Sequence, residues 1–341
     1  MSAATYREIA QACGCSGATV SRALAGSPLV VPALRRKVEV AAKKLGYRRN
    51  PLVGALMAQV RRERVRAFSG NLAVIDVRSS GETRQLQFHR EVVAGMQNRA
   101  NELGFQIDVF EYGAHGGNAR ALHRVLQARG IVGVMLLHSW ETADLSDFPW
   151  DSYSCVELDY CLSEPILHQV LLDHHLTLMQ ALDRLHGLGY RRIGLFLENF
   201  KDAPLKFKWR GAFRGFQEGG GKIGRIPTFT AETMSEAAFL AWVRREEPDL
   251  VVGHVDRAVE WLKGARRTVP KNIGFFNLNW NERSVPCAGL DLCPEEQGAV
   301  AAEVVIAQIH RNERGLPRQA RTTMVPGRWV DGPTIRLSPP V

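Results

Sequence analysis

An all-α helix-turn-helix head followed by a two-lobed α/β body with parallel sheets is the fold class this sequence predicts, and three observations predict it. The 341 residues exceed what one hydrophobic core organises, so two or three units are expected. Thirteen of the forty-four Lys and Arg but only three of the thirty-five Asp and Glu lie within residues 1–66, a net +10 that leaves about −1 downstream. From about residue 69 onward, short apolar runs alternate with helical patterns, as strands and crossover helices do. A basic end on a neutral body is the electrostatic footprint of a nucleic-acid-binding head, and a merely solvated basic surface is the alternative at this point.

Thr5 and Glu8 form a Thr-x-x-Glu capping box that starts the first helix, with Ile9, Ala10 and Cys13 on its apolar face and Gly14 as its stop. Ser16 is placed to cap a second helix from Gly17 to about Ala25, with Val20, Ala23 and Leu24 inward. Two short helices joined by a tight glycine turn make a helix-turn-helix. A third helix follows Pro32 with Leu34, Val38, Ala41, Ala42 and Leu45 at helical spacing, Arg35, Arg36, Lys37, Lys43 and Lys44 on its outer face, and Gly46 at its end. Asn50 and Pro51 can then open a short helix containing Leu52, Val53, Leu56 and Met57, weakened by Gly54 in its middle. Arg61-Arg62-Glu63-Arg64-Val65-Arg66 reads as a basic linker.

The runs Thr5-Tyr6-Arg7-Glu8-Ile9-Ala10 and Gly14-Cys15-Ser16-Gly17-Ala18-Thr19-Val20-Ser21-Arg22-Ala23-Leu24, with Gly46-Tyr47-Arg48-Arg49-Asn50-Pro51, resemble the head of the lactose-repressor (LacI/GalR) family. The resemblance implies that the second helix enters the major groove and that the positions of Gly17, Ala18 and Arg22 face bases. The family usually has longer side chains at the first two, so base readout leans on Arg22, Thr19 and groove geometry. Thr5, Ser16 and Ser21 are expected as phosphate contacts, and Tyr6 belongs to the same DNA-facing set. The segment from Asn50 corresponds to a hinge helix in the minor groove, with Leu56 as the wedge at the operator centre or, alternatively, packed on the body.

In the body the expected strands are Leu72–Val77, Ile107–Phe110, Val132–Leu137, Val170–Leu172, Arg192–Leu197, Leu250–Gly253 and Ile273–Phe276. The helices between them are expected at Phe88–Leu103, Ala119–Arg129, 175–188, 207–218, 256–264 and 295–312. Leu188-Gly189-Tyr190-Arg191-Arg192-Ile193-Gly194, Pro248-Asp249-Leu250-Val251-Val252, Val269-Pro270-Lys271-Asn272-Ile273-Gly274-Phe275 and Gly298-Ala299-Val300-Ala301-Ala302 continue the resemblance at lower density. It implies a periplasmic-binding-protein-like (type I) sensor. The expected division is 1–49 head, 50–68 hinge and linker, and 69–341 body. Within the body the first lobe takes about 69–168 plus 293–318 and the second about 169–291 plus 319–337.

The resemblance also implies a small polar effector, a sugar or sugar derivative, between the lobes. Asp159, Lys208, His254 and Asn279 occupy its lining positions, and Leu292 replaces a frequently polar residue. Trp140, Trp209 and Trp280 are candidates for stacking on a flat ligand or else for the core, and Arg78 and His138 stand at strand ends. A homodimeric repressor of transcription reading a near-palindromic operator and released by its ligand is expected, with a co-repressor-dependent regulator or an activator of the same architecture as alternatives.

Other classes fit less well. No Gly-x-Ser-x-Gly elbow or His-Glu-x-x-His motif occurs, and Gly219-Gly220-Gly221-Lys222 lacks the glycine and hydroxyl of a phosphate loop, so no enzyme and no cofactor are expected. Asp173-His174-His175 is read as a helix start rather than a metal site. The six cysteines are dispersed, and no apolar leader or run of about 18 apolar residues is visible, so the cytosol is expected and a periplasmic binding protein disfavoured.

Overall fold

The computed structural model describes residues 6–24, 30–45, 70–78, 86–113, 117–137, 139, 144–219 and 223–337. Thr5, the segment containing Asn50 and Leu56, the basic linker 61–66, His138 and Trp140 lie outside the described residues, as do the side chains of Tyr6, Ala18, Ser21 and Arg22.

Three helices build the head: α1 (Tyr6–Cys13), α2 (Gly17–Leu24) and α3 (Pro32–Lys44). Gly14 takes φ +64°, the left-handed conformation that ends α1, and the Cys15 N–H closes back on the Ala10 carbonyl at 3.0 Å. Ser16 Oγ accepts from the Thr19 N–H at 3.1 Å, capping α2. Ile9, Cys13, Val20, Ala23, Val38 and Ala42 are buried together, and Lys37 Nζ donates to the Cys13 carbonyl, tying α3 to the end of α1. Leu45, expected on the inner face of α3, is instead 43% exposed, because it stands beyond the last turn as the C-cap.

The body holds two six-stranded sheets. The first contains β1 (Gly70–Asp76), β2 (Phe105–Glu111), β3 (Ile131–Leu136), β4 (Ser154–Leu158), β5 (His168–Leu172) and β11 (Thr322–Val325). Its order is β11-β5-β4-β3-β1-β2, and every pairing is parallel. The second contains β6 (Ile193–Glu198), β7 (Phe229–Ala231), β8 (Leu250–Gly253), β9 (Gly274–Asn277), β10 (Ala288–Asp291) and β12 (Arg328–Val330). Its order is β12-β10-β9-β8-β6-β7, with only β12 antiparallel. The connecting helices are α4 (Leu86–Glu102), α5 (Ala119–Ala128), α6 (His174–Gly187), α7 (Lys208–Glu218), α8 (Glu236–Glu246), α9 (Ala258–Gly264) and α10 (Pro294–Arg311).

Two expectations change. The lobe boundary at 168/169 falls later, because β5 pairs with β4 (Val156 opposite His168) and stays in the first sheet. The return at 319 also falls later, because Thr322–Val325 pairs with Gln169–Leu172 before the chain crosses to β12. The chain therefore passes between lobes after Leu172, before α10, and between Val325 and Arg328.

One apolar core joins the inner layers of the lobes, from Val92 and Met96 of α4 to Trp209 and Phe213 of α7. Separate clusters fill the outer faces, around Leu122, Leu126 and Tyr153 in the first lobe and Phe239, Trp242 and Phe275 in the second. Helices α4 and α10 approach at backbone distance. A Cβ on Gly95 would overlap the Glu295 carbonyl and one on Gly298 the Val92 carbonyl. Only glycine fits at that crossing.

Candidate functional site

A cavity of about 440 Å³, mouth included, lies between the lobes. The carboxyl ends of the strands build it, as open parallel sheets dictate. The first lobe supplies Asp159 after β4, Leu172 at the end of β5, Phe88 from α4 and Gln297 from α10. The second supplies His174 at the start of α6, Lys201 after β6, Leu205 and Trp209 around the start of α7, His254 after β8, Asn279 after β9 and Leu292 after β10.

Its walls are fixed by local hydrogen bonds. Asp173, as expected of a helix start, accepts from the Leu176 N–H and caps α6. That turns His174 into the cavity, where its Nδ1 donates to the Leu172 carbonyl at 2.8 Å and its ring meets Trp209 edge-on at 4.7 Å. Trp209 is 1% exposed and its ring lies 5.9 Å from that of His254, so this tryptophan is both core and cavity wall. The Trp209 amide donates to Asp202 Oδ1, which anchors the first turn of α7. The Asn279 N–H donates to Asn277 Oδ1, and Asn279 Nδ2 reaches Glu282 Oε2 at 3.3 Å. Gln297 Nε2 donates to the Leu292 carbonyl and closes the floor.

Three buried polar atoms here have no hydrogen-bond partner among the described residues: Trp209 Nε1, His254 Nδ1 and Asn279 Oδ1. Leaving such a group unmade costs about 1–3 kcal/mol each. Burial drives the His254 pKa well below its ordinary value, and the charges of Lys201 and His174 push the same way, so its imidazole is neutral. Burial raises the Asp159 pKa, against the opposing charges of His174 and Lys208. Asp159 also holds φ +54°, a left-handed conformation that aspartate tolerates better than most residues.

The expected effector residues divide three ways, His138 and Trp140 lying outside the described residues. Asp159, Trp209, His254 and Asn279 come together around the cavity, with Leu292 beside them. Arg78, Lys208 and Trp280 do not line it. Arg78 folds back on Asp76 through Nε at 2.9 Å and through its terminal nitrogen, because both stand at the end of β1. Lys208 lies over the Tyr160 ring at 5.2 Å, and its charge bears on Asp159 in the cavity. Trp280 packs on the outer core of the second lobe with Arg283 stacked 3.3 Å over its ring. Phe88, His174, Lys201 and Gln297 were missed. The strand-end rule could have found Lys201, three residues past β6.

In the head, α2 presents an exposed Gly17 at which a Cβ would meet nothing within 4 Å. Ser16 Oγ is 2.8 Å from Thr19 Oγ1, so the two expected DNA-facing hydroxyls engage each other as well as the cap. Arg36, Lys43 and Lys44 are exposed on α3. Among the described residues no helix is long and apolar enough to cross a membrane, and no group of three His, Cys, Asp or Glu could hold a metal.

A family model described as bacterial regulatory proteins, lacI family, matches residues 5–50. Over 244 residues, 70% of this chain and 67% of the other, the sequence is 31% identical to the HTH-type transcriptional regulator PtxS of Pseudomonas plecoglossicida. A transcriptional regulator CelR–cellobiose complex shares the fold at TM-score 0.58 and 20% identity, covering 97% of this chain and 99% of that one. The Lac repressor bound to ONPG in its repressed state gives TM-score 0.58 at 18% identity, covering 98% and 100%. The Lac repressor dimer bound to operator and the anti-inducer ONPF gives 0.55 at 18% identity, covering 98% and 99%.

Proposed function

The chain belongs to the LacI family of bacterial regulatory proteins and is a DNA-binding transcriptional regulator, and we propose that it is a homodimeric repressor whose operator affinity is set by a small polar effector held between the lobes. In this reading residues 1–49 form the DNA head, 50–68 the hinge and linker, and the remainder the sensor, which performs no catalysis. Arg22 and Thr19 read bases with Gly17 and Ala18 close to them, Thr5, Tyr6, Ser16 and Ser21 contact the backbone of the DNA, and Asn50 and Leu56 belong to the hinge.

The observation that carries the effector is the trio Trp209 Nε1, His254 Nδ1 and Asn279 Oδ1, buried and without hydrogen-bond partners among the described residues, in a cavity lined by apolar Phe88, Leu205 and Leu292. A ligand with several hydroxyls satisfies one donor and two further polar sites while its ring face covers the apolar wall. Sugars and sugar derivatives have that chemistry, and the structural neighbours include a CelR–cellobiose complex and Lac repressor complexes with ONPG and with ONPF.

The first test is selection of binding sites from random duplex DNA with the full-length protein at moderate salt. An enriched near-palindrome supports the dimeric operator reading, and no enrichment either without or with a panel of sugars and sugar acids overturns it. Titrating the same panel calorimetrically tests the sensor. Asn279→Ala should weaken a ligand found this way by about tenfold, the loss of one hydrogen bond to a buried group.

A further inference from the structure

The first sheet has two ends with different surroundings. Its carboxyl ends face the cavity, through Asp159 and Leu172. All its strands are parallel, so its amino ends lie together on the opposite edge, and the chain arriving from the head joins that edge at Gly70, the first residue of β1. Along the same edge runs the segment from Arg311 to Arg321. Ser154 Oγ, at the start of β4, donates to the Glu313 carbonyl at 2.6 Å. The Gly315 N–H donates to the Tyr153 carbonyl at 2.9 Å. The Arg321 N–H donates to His168 Nδ1, at the start of β5, at 3.0 Å.

This segment is pinned, exposed and basic. Gly315 holds φ +78° against Asp151, where a side chain would meet Asp151 Oδ1 at 2.6 Å. Arg311, Arg314, Arg318 and Arg321 are all exposed. Glu313 takes both hydrogen bonds of Arg311 at 2.7 and 2.8 Å, and Asp151 lies under the turn. Arg314, Arg318 and Arg321 therefore stand exposed on the linker side of the lobe, with Glu313 held by Arg311 and also felt by Arg321.

We propose that Arg314, Arg318 and Arg321 form an auxiliary phosphate-binding surface that grips the duplex flanking the operator. The proposal rests on the DNA-binding reading of the head. β4, where the segment is anchored, lies two strands from β1, so about 10 Å separates the anchor from the point where the linker arrives. Residues 46–69 span at most about 80 Å when fully extended, so a head on its operator keeps flanking DNA within that reach of this edge. Contacts too weak to bind DNA alone then add at a high effective concentration. Guanidinium forks suit phosphate oxygens, and the contacts carry no sequence preference.

The test compares the full-length protein with a triple variant, Arg314→Gln, Arg318→Gln and Arg321→Gln, on two duplexes of one sequence. One, of about 18 base pairs, covers the head sites only, and the other extends it to about 45. A charge-matched control carries Arg244→Gln, Arg266→Gln and Arg267→Gln in the second lobe. On the long duplex the triple variant should bind roughly 5–20-fold more weakly, with a log K against log salt slope shallower by about 2–3. On the short duplex it should match the parent, and the control should match the parent on both. Unchanged affinity and slope on the long duplex overturn the proposal, as does equal loss on both duplexes or the same loss in the control. Because phosphate contacts are sequence-independent, a non-specific duplex reads the same difference if no operator is found. The head's own reading then fails in the selection experiment and not in this one.

Discussion

Burial keeps His254 neutral in the folded chain, whereas the unfolded chain exposes it near pKa 6.5. A depressed folded-state pKa means that the unfolded state binds more protons as pH falls. The stabilisation by neutral His254 is therefore complete above about pH 7 and is lost as pH drops through the unfolded value toward the lower folded one. His254→Asn should flatten the fall in Tm between pH 7.5 and 5, measured by calorimetry, and a fall of unchanged steepness would assign it to other groups such as half-buried His168. In the head, Arg22→Ala should weaken specific binding by about 1–3 kcal/mol and relax one base position, read by competition between the selected site and its single-base variants. Intact specificity would remove α2 from the groove. Asp159, His254, Asn279 and Leu292 were legible through the family resemblance, and only His254 and Asn279 also follow strands, β8 and β9, whose apolar runs are visible. His174 could not, because its neighbour Asp173 explains the same stretch as a cap and nothing local reveals that the cap turns an imidazole toward Trp209.

Most elements announced by periodicity were found within a few residues, and the strands that break it were not. Strand β4 carries Ser154 and Glu157, both buried, so its alternation reads as a loop until Gln169 and the Leu162 N–H are seen to satisfy Glu157. Strand β11 has three exposed residues in four and sits at a sheet edge. Helix α8, capped by Ser235, went unread although Phe239, Trp242 and Val243 have helical spacing. The α4–α10 crossing gives the sharpest prediction. Gly298→Ala forces a methyl into the Val92 carbonyl and should cost about 1–3 kcal/mol, with a lower Tm. Gly211→Ala, exposed on α7 with nothing within 4 Å, should stabilise by about 0.5–1 kcal/mol. If both variants shift Tm alike, the crossing is looser than its geometry implies.

For the whole molecule, the charge asymmetry and the α/β alternation were enough to read head and body, whereas the crossing points depend on which sheet an ambiguous strand joins. Val170–Leu172 is equally apolar in either sheet, and only its pairing with β4 and β11 decides. Tyr160 of the first lobe lies 5.5 and 5.2 Å from the ammonium groups of Lys206 and Lys208 in the second, so closure of the cavity bears on a contact already made between lobes. An effector that closes the cavity should change operator affinity, measured by titrating DNA at saturating ligand. Tight binding with unchanged DNA affinity would uncouple sensor from head. The late crossings also order the protein's synthesis. Among the described residues the head's buried contacts fall within residues 9–42, but each sheet takes an edge strand from residues 322–330. At ~5–20 residues per second, about 15–55 s pass between completion of the head and arrival of the last strands. Throughout that interval a nascent chain can carry a finished DNA-binding head while its sensor has yet to close, so each new copy is able to meet DNA before it is able to answer a ligand.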